Sequence, residues 1–132
     1  MDMEVYFPGN QKVYARYKGF VVETDQPVDA GGDDTAPSPF DLFLLSIGTC
    51  AGFYVLRFLQ QRGLPTEDAG VVMRRERDPK ANLVTKLLLE IKLPPGFPEK
   101  YRSAVIRTVE RCTVKRHLDN PPAIEIETTI GR

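Results

Sequence analysis

From Ser38 to Pro65 the chain reads SPFDLFLLSIGTCAGFYVLRFLQQRGLP. This stretch decides the fold. Ser38 is a good N-cap, Pro39 suits the first helical position, and Asp41 stands three residues after the serine, as in a capping box. At the far end Gly63 offers a left-handed C-cap and Pro65 bars continuation. A helix is therefore predicted from about Ser38 to Arg62, with Arg57 and Arg62 near the negative end of its dipole. At 1.5 Å per residue it would be about 35 Å long, the width of a small domain.

This helix is apolar nearly all round: Leu42, Phe43, Leu44, Leu45, Ile47, Phe53, Val55, Leu56, Phe58 and Leu59. Its uncharged core, Leu42 to Leu56, falls short of the roughly 20 residues that span a bilayer, and Ser46, Gly48, Thr49 and Gly52 dilute it. A buried helix of a soluble protein is expected. Such a helix must be covered on every side. One short sheet covers one face, so the other calls for a second copy, and an obligate homodimer is expected.

Upstream, Met3, Val5 and Phe7 alternate with polar residues before the Pro8-Gly9-Asn10 break. Val13, Ala15 and Tyr17 alternate in the same way, and Lys18-Gly19 is a two-residue hairpin turn into Phe20–Thr24. Asp29 to Thr35 reads as a loop: a solvated connector or the edge of a substrate pocket. It lacks the lysine and spacing of a phosphate loop. Downstream, strands are expected over Val71–Arg77 and Val84–Leu93. A helix from near Pro98 carries the stripe Tyr101, Ala104, Val105, Thr108, Val109, Cys112. Thr113 is placed to cap a short helix through Leu118, and Ala123–Ile130 alternates as a closing strand. Helices and strands do not alternate strictly, so the class is α+β with a largely antiparallel sheet. With no repeat and no linker, residues 1–132 read as one domain.

Eighteen basic side chains balance eighteen acidic ones. No net field points to nucleic acid or an anionic membrane. The alternating N-terminus is unlike a signal peptide, which makes the reducing cytoplasm the expected compartment. Cys50 and Cys112 are the two cysteines. There, a cysteine pair is catalytic or redox-sensing more often than a staple. Taken singly, each also reads as a small core residue, because free cysteine is among the most buried types. His117 is the lone histidine, and two distant cysteines plus one histidine lack zinc spacing. Neither metal nor cofactor is expected.

The segment Ser38-Pro39-Phe40-Asp41-Leu42, followed by Gly48-Thr49-Cys50, resembles the helix start and reactive cysteine of the OsmC/Ohr proteins, the osmotically inducible and organic hydroperoxide resistance proteins. Cys112-Thr113-Val114 resembles their second cysteine region, and the element order agrees over most of the chain. The resemblance implies an intertwined α+β homodimer with the long helices buried centrally. It also implies a peroxide-attacking thiol at Cys50, a resolving thiol at Cys112, organic hydroperoxide substrates and an external dithiol reductant. Well-studied members carry a glutamate directly after the proline and an arginine in the first strand connection. Here those places hold Phe40 and the loop Gly9-Asn10-Gln11-Lys12, as in a divergent branch. Asp41 and Arg16 are the nearest substitutes.

Peroxide reduction by a thiol needs the thiolate, and burial alone raises a thiol's pKa. A guanidinium is therefore called for beside Cys50, and Arg16 is the candidate. Its alternative is an outward strand residue. Asp41 is fully explained as a capping residue. Thr113 and Lys115 could favour a Cys112 thiolate. Two readings follow. One is a thiol-dependent hydroperoxide reductase acting in oxidative stress. The other is a non-catalytic OsmC-like binding or structural protein that keeps the fold without the activity.

Overall fold

The computed structural model describes residues 2–131. They form two compact units that divide between Ser46 and Ile47, inside the long helix. In the N-terminal unit β1 (Glu4–Gly9), β2 (Lys12–Tyr17) and β3 (Phe20–Thr24) make an antiparallel sheet in that order. Lys18 and Gly19 both take positive φ, 52° and 80°, as a two-residue turn matched to strand twist requires. Register is lost between Tyr6 and Gly9, where Pro8 has no N–H to give the ladder.

Pairing of Val5 with Ala15 and Ala15 with Val22 gathers an apolar face. Pairing of Tyr6 with Tyr14 and Tyr14 with Glu23, beside Glu4, Arg16 and Val21, makes the other face mostly polar. The apolar side stays open: Val5, Phe7, Phe20 and Val22 are all exposed.

The loop that follows is organised by one side chain. Asp25 is completely buried. Its carboxylate accepts the Gln26 N–H at 2.8 Å, the Asp33 N–H at 3.3 Å, the Thr35 N–H at 3.1 Å and the Thr35 hydroxyl at 2.6 Å. Those donors hold its pKa down at about 2, the Thr35 hydroxyl most of all. Asn10 donates to the Gly31 carbonyl and Lys12 pairs with Asp33 at 2.7 Å. The stretch read as a solvated connector is thus pinned at several points.

Helix α1 runs Pro39–Gln61. Its start is the expected capping box, with the Ser38 N–H on the Asp41 carboxylate at 3.1 Å and the Asp41 N–H on the Ser38 hydroxyl at 3.2 Å. Its end is a Schellman motif: Gly63 has φ 64°, the Leu64 N–H meets the Leu59 carbonyl, and the Gly63 N–H meets that of Gln60. The Arg62 guanidinium stacks 3.6 Å over Phe58 and donates to its carbonyl. One stripe is buried, Leu44, Ile47, Ala51, Val55, Phe58 and Leu59, at helical spacing. Phe40, Phe43, Leu45, Phe53 and Leu56 are exposed. At 23 residues α1 is long and apolar enough to cross a membrane by length and composition. The core helix of a soluble protein passes the same test.

In the C-terminal unit the rest of α1 packs with the hairpin β4 (Gly70–Asp78) and β5 (Leu83–Lys92) and with α2 (Arg102–Glu110), which a short 3-10 turn introduces. Val105 and Val109 of α2 meet Ala51, Val55, Phe58 and Leu59 in the core. Phe58, Phe97 and Tyr101 form an aromatic triangle at 6.1–6.4 Å. Helix α3 (Thr113–Asp119) follows.

The class is α+β with antiparallel pairing throughout, divided between a three-stranded and a two-stranded sheet. The expected strand Ala123–Ile130 is absent among the described residues: the segment has no ladder partner, and Ile124, Ile126 and Ile130 are 82%, 89% and 97% exposed. Alternation orients side chains, but a strand exists only where a neighbouring backbone accepts its hydrogen bonds.

Candidate redox site

Cys50 lies three turns into α1 and is half-buried; Cys112 is 2% exposed. Both are free thiols, and they are neighbours, close enough for Cys50 to act on the titration of Cys112. Cys112 is not on the stripe of α2, as the spacing predicts. It is the N-cap of α3, with extended backbone (φ −61°, ψ 151°), and its carbonyl accepts the Arg116 N–H at 3.0 Å. The cap expected at Thr113 falls one residue earlier, because α2 ends at Glu110 and the chain turns through Arg111.

Burial pushes the Cys112 thiol up, and the hydrogen bond and charge of Cys50 push it the same way. The Lys115 backbone N–H and ammonium partly offset this, as expected for a helix start. Cys112 therefore keeps its proton at neutral pH. The half-exposed partner is the one a solvent-borne reagent meets first.

One contact beside the thiols has no clear signal in the sequence. Tyr54, one turn beyond Cys50 on α1, shares a 3.1 Å hydrogen bond between its hydroxyl and that of Thr113. Only the four-residue offset from Cys50, which puts both on one helix face, could have hinted at it. The other two expected site residues belong to the N-terminal unit. Arg16 is exposed on the polar face of the sheet, its guanidinium 4.0 Å over the Tyr6 ring. Asp41 is held by Ser38, on an open groove of about 670 Å³ lined also by Pro27, Asp34, Thr35 and Leu44. Among the described residues, no group of three metal-ligating side chains gathers anywhere.

A sequence profile described as OsmC-like protein matches residues 31–127. The chain belongs to the OsmC-like protein family. The match spans α1, both cysteines and the C-terminal unit's hairpin. Solved structures agree with the fold of this OsmC-like chain. A Psychrobacter arcticus protein, described as an osmotic stress induced and detoxification response protein, is 19% identical with a TM-score of 0.73, over 86% of this chain and 85% of that one. An OsmC like protein from Mycoplasma pneumoniae is 15% identical with a TM-score of 0.66, over 91% and 87%. An organic hydroperoxide resistance protein OsmC from Legionella pneumophila is 16% identical with a TM-score of 0.57, over 89% and 87%. No curated protein sequence matches significantly. At these identities the likeness is one of fold, and the OsmC-like family includes hydroperoxide resistance proteins.

Proposed function

We propose that this OsmC-like protein reduces organic hydroperoxides in the cytoplasm with its own two thiols. The observation that carries the reading is the neighbouring placement of a half-buried Cys50 and a buried Cys112 whose thiol is pushed up toward its protonated form. The Cys50 thiolate attacks one peroxide oxygen, the O–O bond breaks, and the alkoxide leaves as the alcohol after taking a proton. Cys50 is left as sulfenic acid. Cys112 then attacks that sulfur, water leaves, and a disulfide forms. An external dithiol takes up the oxidising equivalents and restores both thiols. Burial of Cys112 suits a resolving thiol, since it reacts with a neighbour and not with solvent.

Asp41 serves this scheme by capping the helix that carries Cys50. Arg16 is assigned as the supporting cation. Arg16→Ala should slow peroxide consumption, and part of the loss should return at higher pH, where the thiol ionises unaided. An unchanged rate would leave Arg16 as a residue stacked on Tyr6. The principal test is hydroperoxide consumption with a dithiol reductant. Wild type should turn over, Cys50→Ser should not, and a stoichiometric dose should remove two hydrogens from the intact mass. Free thiols after that dose would overturn the reading.

A second reading has its own support: Phe40 stands where studied relatives carry glutamate, Asp41 is occupied by Ser38, and Arg16 by Tyr6. On this reading the chain binds a small apolar molecule or has a structural role without turnover. In both readings the protein works as a homodimer, supported by the exposed Phe40, Phe43, Leu45, Phe53 and Leu56 of α1.

A further inference from the structure

Helix α3 buries no side chain of its own. Val114 is its one half-buried residue, and its remaining side-chain contacts, His117 to the Thr113 carbonyl and Lys115 to Asp119, are internal. What joins its start to α1 is a pair of side-chain contacts. The Thr113 and Tyr54 hydroxyls meet at 3.1 Å, and beside them Cys112 neighbours Cys50. Two adjacent residues on one helix start thus touch two residues one turn apart on the other helix. A single contact would leave the start of α3 free to pivot about it, whereas two define a direction. A helix that buries none of its side chains fully belongs to the part of a protein that opens most readily.

We propose that Tyr54 and Thr113 are positioning residues for the thiol pair: their hydrogen bond clasps the turn bearing Cys112 to α1 and sets the effective concentration of one thiol at the other. The inference deepens the two-thiol reading above and rests on it. The clasp acts on disulfide formation, where its contribution is the orientation already present before the S–S bond forms. It does not touch the peroxide.

The test is the equilibrium between the protein dithiol and dithiothreitol, which requires no peroxide. Two hydrogens pass from Cys50 and Cys112 to oxidised dithiothreitol as the protein disulfide forms, and return when it is reduced. Tyr54→Phe keeps the ring, which packs edge-on to Phe53 at 5.9 Å, and removes only the hydroxyl. One net hydrogen bond corresponds to about a three- to tenfold fall in the equilibrium constant for the disulfide. Tenfold corresponds to about 30 mV for this two-electron couple. Thr113→Val should match it, and the double variant should lose no more than either single. Thr113→Ser, which keeps a hydroxyl, should behave as wild type. The urea midpoint of the reduced protein should hardly move, because α3 contributes little to the core. A merely structural role would move the midpoint and leave the equilibrium constant alone.

An unchanged constant in Tyr54→Phe, or additive losses in the double variant, overturns the clasp and leaves the two-thiol reading intact. A wild type that forms no Cys50–Cys112 disulfide at any ratio of oxidised to reduced dithiothreitol overturns both.

Discussion

Asp25 accepts donors at both carboxyl oxygens, and only the carboxylate leaves both free to accept. Asp25→Asn keeps the size but turns an NH2 group toward donors at Gln26, Asp33 or Thr35, so at least one donor is left facing another. The variant should unfold at lower urea than wild type at pH 7. Because the folded pKa lies at about 2, below its ordinary value of 3.8, the carboxylate stabilises the fold fully above pH 3.8. That contribution is lost as pH falls toward 2. Urea midpoints between pH 5 and 2 should fall more steeply for wild type than for Asp25→Asn. Cys112 has the opposite sign. Its pKa is raised from the ordinary 9.0, so the folded state holds a proton that the unfolded chain releases as pH passes that value. Stability should decline through the alkaline range, and Cys112→Ala should flatten that slope; an equal slope in both proteins would assign the decline elsewhere. The sequence made the thiols visible as chemistry but hid Asp25. A buried carboxylate served by distant backbone N–H groups leaves no periodic trace.

At the level of elements, what could be read was what local rules encode. Both ends of α1 and the Lys18-Gly19 turn follow from residues adjacent in the chain, and the helix forms between Pro39 and Gln61 accordingly. Ser38→Ala should cost about 1 kcal/mol of stability, as removal of a capping hydroxyl does, measured by chemical denaturation. What could not be read depends on neighbours distant in sequence. Among the described residues the Ala123–Ile130 alternation lacks a ladder partner, and the α3 cap falls on Cys112 because α2 ends two residues sooner than its stripe suggests. Gly32 belongs to the same class. A Cβ there would sit 2.0 Å from the Gln26 carbonyl oxygen, so backbone would have to move. Gly32→Ala should lose more than about 2 kcal/mol, far beyond an ordinary loop substitution, and a loss below 0.5 kcal/mol would show the loop yields easily.

For the molecule as a whole, composition limited the answer without choosing it. Balanced charge and ordinary hydrophobicity fit many proteins, and the unusual feature was a helix with more apolar surface than one chain covers. Light scattering at micromolar concentration should give twice the 14.9 kDa chain mass. Phe53→Glu, at a position 51% exposed in the single chain, should give one chain mass with unchanged helical circular dichroism. A single-chain mass for wild type would refute the dimer. The open segment after Asn120 carries this further. Among the described residues its backbone N–H groups from Ala123 to Ile130 join no ladder. With no ladder among the described residues to shield them from deuterium, the homodimer proposed above would be the source of any protection they acquire. That protection obeys mass action. It should fade on dilution, while the amides of β4 and β5, paired within the chain, keep their exchange rates at every concentration.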